Sequence, residues 1–261
     1  MAEQSGVLVT GAGGRIGNGI ARMFAARGER LVISDLDPER LESTRQACQP
    51  LGGQVSVVAA DVSDEQAIER LVAETVATVG TIGILVNCAG IFPNTPVEKM
   101  ETTEWDRVFA INVRGPFLLS RAVARHMIAH KLGGSIVNIS SSAGQSARTG
   151  GAHYCGSKAA LDMLTRTMAI ELGPHRIRVN GVAPGLVMSD VLTQPLPADT
   201  HPYVRSLVAG IPLGRTGDPG DIANAVAFLC SDEAAWISGE ILGVNGGSMA
   251  GRTHLPPSST S

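Results

Sequence analysis

The chain lacks most features that would commit it to a partner larger than a small molecule. No stretch approaches the roughly 18 consecutive apolar residues a membrane-spanning helix needs. Net charge is −3, and the basic residues, 18 of 21 of them arginine, are dispersed. They form no concentrated patch for nucleic acid and no basic cluster beside an amphipathic membrane anchor. Cys48, Cys88, Cys155 and Cys230 lie far apart, with no CxxC and no histidine at ligand spacing. A disulfide framework and a zinc site are therefore not expected, and the cysteines fit reduced thiols. No repeat or internal linker divides the sequence. A strand expected almost at Met1 leaves no room for a signal peptide, so a cytoplasmic location is expected.

Tyrosine and lysine are scarce too, with two of the first and three of the second. Yet Tyr154 and Lys158 stand one helical turn apart at the start of an apolar helical stretch. A phenol is a poor acid or base near neutrality, its ordinary pKa being about 10, but a neighbouring ammonium favours the phenolate. Moving that value by about 3 units requires on the order of 4 kcal/mol, within reach of a desolvated cation and a second nearby charge. Such a pair can exchange a proton with an alcohol or a carbonyl. The alternative is a surface lysine beside a packing tyrosine.

Apolar, β-rich runs alternate with helical-period stretches from end to end, the pattern of an α/β domain whose mainly parallel sheet is covered on both faces. Seven strands are expected, at 7–10, 30–34, 54–59, 82–86, 135–140, 176–180 and 240–244. Helices are expected at 64–79, 113–131, 152–172 and 218–229, among others. Residues 1–251 form one domain in this reading. The proline-rich stretch 186–213 exceeds an ordinary connection and is expected to be a lid or binding loop, with a plain surface excursion as the alternative. The tail 252–261 is expected to be flexible.

Thr10-Gly11-Ala12-Gly13-Gly14-Arg15-Ile16-Gly17 follows the first strand and opens a helix. Glycines there let the backbone turn tightly and approach a pyrophosphate, which the free amides and positive end of the helix receive. Asp35 ends the second strand 18 positions after Gly17. There a carboxylate can bind the adenosine ribose hydroxyls and repel a 2′-phosphate, which favours NAD over NADP. Arg15 and Arg40 weaken that preference, and Asp35 as cap of the helix from Pro38 is the alternative.

Together with Asp61-Val62, Asn87-Cys88-Ala89-Gly90, Ile111-Asn112-Val113, Ser140-Ser141-Ser142 and Pro184-Gly185, these motifs, in this order, resemble the short-chain dehydrogenase/reductase family, compact branch. The likeness runs from about residue 6 to 247. It implies a Rossmann-like doubly wound fold and a catalytic tetrad of Asn112, Ser141, Tyr154 and Lys158. The family's serine usually lies 13 positions before its tyrosine, which selects Ser141 of the three serines.

In the chemistry implied, Tyr154 accepts the alcohol proton while hydride leaves carbon for the nicotinamide, and donates it in the reverse direction. Ser141 orients the substrate oxygen, Lys158 holds the nicotinamide ribose and lowers the Tyr154 pKa, and Asn112 holds a water linking Lys158 to solvent. Cofactor contacts are implied at Gly11, Gly14, Arg15, Ile16, Gly17, Asp35, Asp61, Val62, Asn87, Ala89, Gly90, Tyr154, Lys158, Pro184, Gly185, Val187 and Ser189. Asn87 and Asn180 serve equally well as ties between loops and strands.

The loop departs from the family's TGxxxGxG by placing Arg15 where glycine is usual. It also fits TGxxGxxG, so it does not by itself choose a branch. Cys88 replaces a usual asparagine, and Asn245 a usual aspartate. Neither change removes a proton carrier. The function expected is an NAD-dependent oxidoreductase acting between a secondary alcohol and a ketone. A ketoreductase of the 3-oxoacyl-(acyl carrier protein) type and a catalytically silent nucleotide sensor are the alternatives. Pocket candidates are Phe92, Ser142, Gln145, His153, Met188, Val191, Leu192 and Tyr203, with His153 expected to point away and pack. No arginine cluster marks an acidic substrate. The resemblance also implies a homotetramer formed through the two long helices, for which Phe117, Leu118, Val123, Leu161 and Leu164 are suited, as they are for an internal core.

Overall fold

The computed structural model describes residues 5–188 and 202–251, the side chains of 202–204 excepted. Strand and helix alternate throughout. The order is β1 (Gly6–Thr10), α1 (Arg15–Ala26), β2 (Arg30–Asp35), α2 (Pro38–Cys48), β3 (Gln54–Ala59), α3 (Glu65–Val79), β4 (Ile82–Asn87), α4 (Thr102–Phe109), α5 (Gly115–Ala129), β5 (Gly134–Ile139), α6 (Ala152–Leu172), β6 (Ile177–Pro184), α7 (Pro202–Ala209), α8 (Pro219–Cys230) and β7 (Ile241–Val244). The seven strands form one sheet in the order β3-β2-β1-β4-β5-β6-β7. Every pairing is parallel.

Parallel strands joined by helical crossovers are covered on both faces, which is why they read as continuous apolar runs. Val7 and Val9 of β1 face a core built with Ile20 and Phe24 of α1 and Ile222 and Val226 of α8. Leu8, between them, faces the opposite core, with Ile68 and Leu71 of α3 and Leu119 and Val123 of α5. Each such side chain, fully buried, contributes about 1.5–3 kcal/mol. Helix starts are set locally: Asp37 accepts from the Glu39 and Arg40 amides, Asp64 from Gln66, and Asp218 forms a capping box with Asp221.

Two boundaries differ from the sequence expectation. β6 runs on to Pro184, because Val182 and Ala183 are as buried as the residues before them and proline is tolerated at a strand's end. The helix expected from 113 is α5, joined to α4 by a π-helical turn, Ala110–Arg114, in which the Gly115 amide reaches back to the Ala110 carbonyl. One extra residue in that turn has no signature in hydrophobic period, and such turns collect at functional sites. Of the expected lid, 189–201 lies outside the described residues, as does the tail 252–261. The described part holds α7 and a bridge from Val187 to Gly217.

The chain leaves β1 toward β2 on one side, and β4 lies on the other. The carboxyl ends of β1 and β4 therefore border the crevice in which doubly wound sheets bind ligands. Among the described residues no helix is long and apolar enough to cross a membrane, and no group of three or more His, Cys, Asp or Glu could hold a metal.

Candidate active site

At the end of β1 the chain turns through Gly11, at φ +66°, where a β-carbon would lie 2.5 Å from the Ala89 amide nitrogen. At Gly17 a β-carbon would lie 2.1 Å from the Gly11 carbonyl oxygen. Both glycines are thus required by close backbone approach, and they bring the start of α1 against the end of β4. α1 opens at Arg15 without a side-chain cap, leaving its positive end and first amides open for an anion. Thr10 fastens the two strand ends, its hydroxyl facing the Val86 carbonyl and accepting from the Cys88 and Ala89 amides at 3.3 and 3.4 Å.

Asp35 lies beside this turn. One carboxylate oxygen accepts the Gly13 amide at 3.0 Å and the other the Asp37 amide at 3.2 Å. The cap of α2 is Asp37, which removes the capping alternative for Asp35. Gly13 has no room for a side chain, since a β-carbon would lie 2.7 Å from Arg40 Cβ and 3.0 Å from Asp35 Oδ2. Asp61 accepts from the Ser63 amide and hydroxyl, and Val62 packs over Gly115. The Asn87 side chain is buried, donating to Ser120 and to Asn138, which donates in turn to Thr165. Its amide therefore ties β4 to β5 and α5 rather than facing the crevice. Asn180 likewise ties β6 to the chain entering β7, bonding the Ile237 carbonyl and the Glu240 amide.

The four expected catalytic residues come from three elements. Asn112 sits in the π-helical turn, fully buried; its Oδ1 accepts the Ile91 amide at 2.9 Å and its Nδ2 donates to the Ile91 carbonyl and to Ser157 Oγ. That side chain is a clamp. Both its side-chain donors are committed to protein groups, so a water linking Lys158 to solvent would have to be held by an oxygen of Asn112. Gly90 packs between Asn112 and Lys158, a β-carbon there lying 3.2 Å from Asn112 Oδ1 and 3.6 Å from Lys158 Nζ.

The three serines after β5 have different partners. Ser140 donates to Asp162, Ser142 to the Pro184 carbonyl, and Ser141 accepts the Ala143 amide while its hydroxyl faces the Tyr154 phenol. Lys158 is buried, donates to the Ile139 carbonyl at 2.8 Å, and holds its ammonium 5.9 Å from the centre of the Tyr154 ring. Burial lowers its pKa to about 8, with Asp162 opposing. The Cys88 thiol, pushed up to about 12 by burial, stays neutral.

The expected depression of the Tyr154 pKa is not what the protein alone produces. Burial raises it, with Ser141 and the Arg148 guanidinium opposing and Cys155 reinforcing. Desolvation of the phenolate outweighs the charges that favour it.

Of the pocket candidates, Phe92 meets the Tyr154 ring edge-on at 6.3 Å, Gln145 is exposed and Met188 half-buried. His153 is fully buried and pairs with Glu104 at 2.9 Å, so it lines no pocket. Ser189, Val191, Leu192 and the Tyr203 side chain lie outside the described residues. Leu118, Val123 and Leu161 belong to the internal core, whereas Phe117 and Leu164 border an open apolar groove with Phe109 and Val113. Sequence reasoning passed over Thr10, Gly13, Ser157 and Arg148. Thr10 and Gly13, inside the glycine motif, carried a signal; Ser157 and Arg148 carried none.

A family model described as enoyl-(acyl carrier protein) reductase matches residues 11–249. An uncharacterized oxidoreductase of Thermotoga maritima is 39% identical over 246 residues, covering 94% of this chain and 97% of that one. The 7alpha-hydroxysteroid dehydrogenase of Escherichia coli is 38% identical over 240 residues, 92% of each chain. A solved NAD+-bound xylitol dehydrogenase superposes with a TM-score of 0.86 at 32% identity, over 94% of this chain and 99% of that one. These likenesses run over nearly the whole domain, and the chain belongs to the short-chain dehydrogenase/reductase family of oxidoreductases.

Proposed function

We propose that the protein is an NAD-dependent oxidoreductase that interconverts a secondary alcohol and a ketone, with Tyr154 as the acid and base. The observation that carries this reading is the placement of the Tyr154 phenol. It has Ser141 beside it and Lys158 beneath, next to a crevice whose glycine turn admits a backbone-hugging ligand.

The crevice fits a dinucleotide. Side chains at Gly11 and Gly17 would collide with backbone, and the uncapped start of α1 suits a pyrophosphate. Asp35 would receive the adenosine ribose hydroxyls and disfavour a 2′-phosphate. Asp61, Val62, Ala89, Gly90, Pro184, Gly185 and Val187 border the same edge of the sheet and would complete the contacts. When bound, the nicotinamide supplies the acceptor or donor of hydride. In oxidation the alcohol C–H pair leaves as hydride and the O–H proton passes to Tyr154; in reduction Tyr154 returns that proton to the carbonyl oxygen. Ser141 holds the substrate oxygen, and Lys158 holds the ribose and keeps a positive charge below the phenol. The apolar groove at Phe109, Val113, Phe117 and Leu164 supports self-association to a homotetramer.

A ketoreductase acting on acyl thioesters is the second reading, favoured by the description of the matching family model. The test is to incubate the purified protein with NADH or NADPH and a panel of ketones and 3-oxoacyl thioesters, following cofactor absorbance. Turnover with NADH and simple ketones supports the first reading, turnover confined to thioesters the second. Absence of dinucleotide binding contradicts both.

A further inference from the structure

The loop between Ser141 and Tyr154 places one cation in the site that the reaction above does not use. The Arg148 guanidinium lies 5.0 Å from the centre of the Tyr154 ring, while Phe92 meets the same ring edge-on at 6.3 Å. Arg148 is exposed, and the loop that carries it is held by backbone bonds. The Gly150 carbonyl accepts the Thr95 amide at 2.9 Å, and the Gly151 amide donates to the Arg148 carbonyl at 3.1 Å. Gly150, at φ +71°, and Gly151 make room for this. A β-carbon on Gly150 would lie 2.7 Å from Asn94 Nδ2, and one on Gly151 2.8 Å from Arg148 Cγ. Arg148 therefore rests its stem in the space a side chain at 151 would fill, which directs its charged end over the phenol.

Among the described residues no carboxylate pairs with Arg148. The site's own carboxylates are engaged: Glu104 accepts from Thr95 and faces His153, and Asp162 accepts from Ser140. A guanidinium is a planar fork matched to a carboxylate, and two parallel charge-assisted hydrogen bonds fix orientation as well as affinity. A substrate seated at Tyr154 and Ser141 covers the guanidinium and removes water from it, raising the worth of the pairing.

We infer that Arg148 binds a carboxylate on the substrate, so that the natural substrates are hydroxy acids and their oxo counterparts with the anionic group a few carbons from the reacting carbon. This rests on the reading of the site as an alcohol and ketone oxidoreductase, and it goes beyond the sequence reading, which found no arginine cluster to mark an acidic substrate. A lone arginine needs no cluster when a glycine pair aims it.

The test is a fluorescence titration of the enzyme–NADH complex with matched pairs: 3-hydroxybutyrate and 3-hydroxybutyramide, then 4-hydroxypentanoate and its amide. In the wild type at least one carboxylate binds about tenfold more tightly than its amide, the worth of one charge-assisted pair. In Arg148→Gln that ratio falls toward one, and in Arg148→Lys only part of it survives, because an ammonium keeps the charge but not the fork. Equal binding of acid and amide in both pairs overturns the inference, as does a ratio that survives Arg148→Gln or a loss that strikes acid and amide alike, which marks a purely electrostatic role on Tyr154. Failure of both NADH and NADPH to bind overturns the oxidoreductase reading, and the inference with it.

Discussion

The backbone amide of Tyr154 donates to Nδ1 of the preceding residue, His153, at 2.8 Å, and Nε2 of that ring lies 2.9 Å from Glu104 Oε1. Because Nδ1 accepts, the ring proton sits on Nε2 and is donated to Glu104. The imidazole thus satisfies one of the orphan amides at the start of α6 and anchors the turn that carries the phenol. His153→Ala removes both a cap and a fully buried ring, and should lower stability by roughly 2–4 kcal/mol with a fall in kcat. The Glu104 pKa lies below its ordinary 4.5 because of hydrogen bonds from His153 and then Thr95. A depressed carboxylate contributes stability above its unfolded value and loses it as pH falls. The melting temperature of the wild type should therefore drop more steeply below pH 4.5 than that of Glu104→Gln.

Lys158 stands in the opposite relation to stability. Its pKa is lowered from 10.5 to about 8 by burial, so the folded protein binds fewer protons than the unfolded chain between those values. Stability from this group rises with pH through that window, and the cost of the buried charge is present in full below it. Lys158→Met should be more stable than wild type at neutral pH by on the order of 1–2 kcal/mol, the lost bond to the Ile139 carbonyl offsetting part of the gain. The difference should narrow above pH 8, and activity should vanish. Chemical denaturation at neutral and alkaline pH gives the comparison.

The glycine turn can be separated into shape and strain. Gly17→Ala places a methyl 2.1 Å from the Gly11 carbonyl oxygen and 2.8 Å from Ala12 Cα, both backbone. It should cost about 1–3 kcal/mol and sharply weaken NADH binding, because α1 must move away from the turn. Gly28→Ala is the control: it has φ +73° but no atom within 4 Å of the added carbon. It should lose about 1 kcal/mol of stability through backbone strain and leave NADH affinity unchanged.

In the proposed reading Asp35 sets the cofactor preference through charge. Asp35→Asn keeps an oxygen for the Gly13 amide and removes the repulsion of a 2′-phosphate. Discrimination between NADH and NADPH, read as a ratio of dissociation constants, should shrink about tenfold. A wild type that prefers NADPH contradicts the assignment.

The fold was legible because parallel strands buried on both faces leave unbroken apolar runs, and because Pro38, Asp64 and Asp218 mark helix starts in the sequence itself. The glycine turn was legible for the same local reason. What escaped was set by distant contacts. The π-helical turn around Asn112 keeps the hydrophobic period of a helix. The His153 ring turns inward to Glu104, 49 positions earlier. Arg148 is one arginine among many until Gly150 and Gly151 direct it. The sign of the Tyr154 shift depended on burial, which the neighbouring lysine alone does not reveal.

In the proposed reaction the Tyr154 phenol carries the proton that accompanies hydride transfer. Burial holds that phenol protonated, with Ser141 and Arg148 opposing. Ketone reduction, which uses the acid form, should therefore be flat through neutral pH, while alcohol oxidation should climb as pH rises toward the phenol's pKa. The direct measurement is kcat/KM against pH in both directions for wild type and Tyr154→Phe, with NADH binding measured alongside. In the variant a loss of roughly 100-fold or more is expected in both directions, with NADH still bound and the alkaline rise gone. Oxidation and reduction that proceed at wild-type rates in Tyr154→Phe would contradict it.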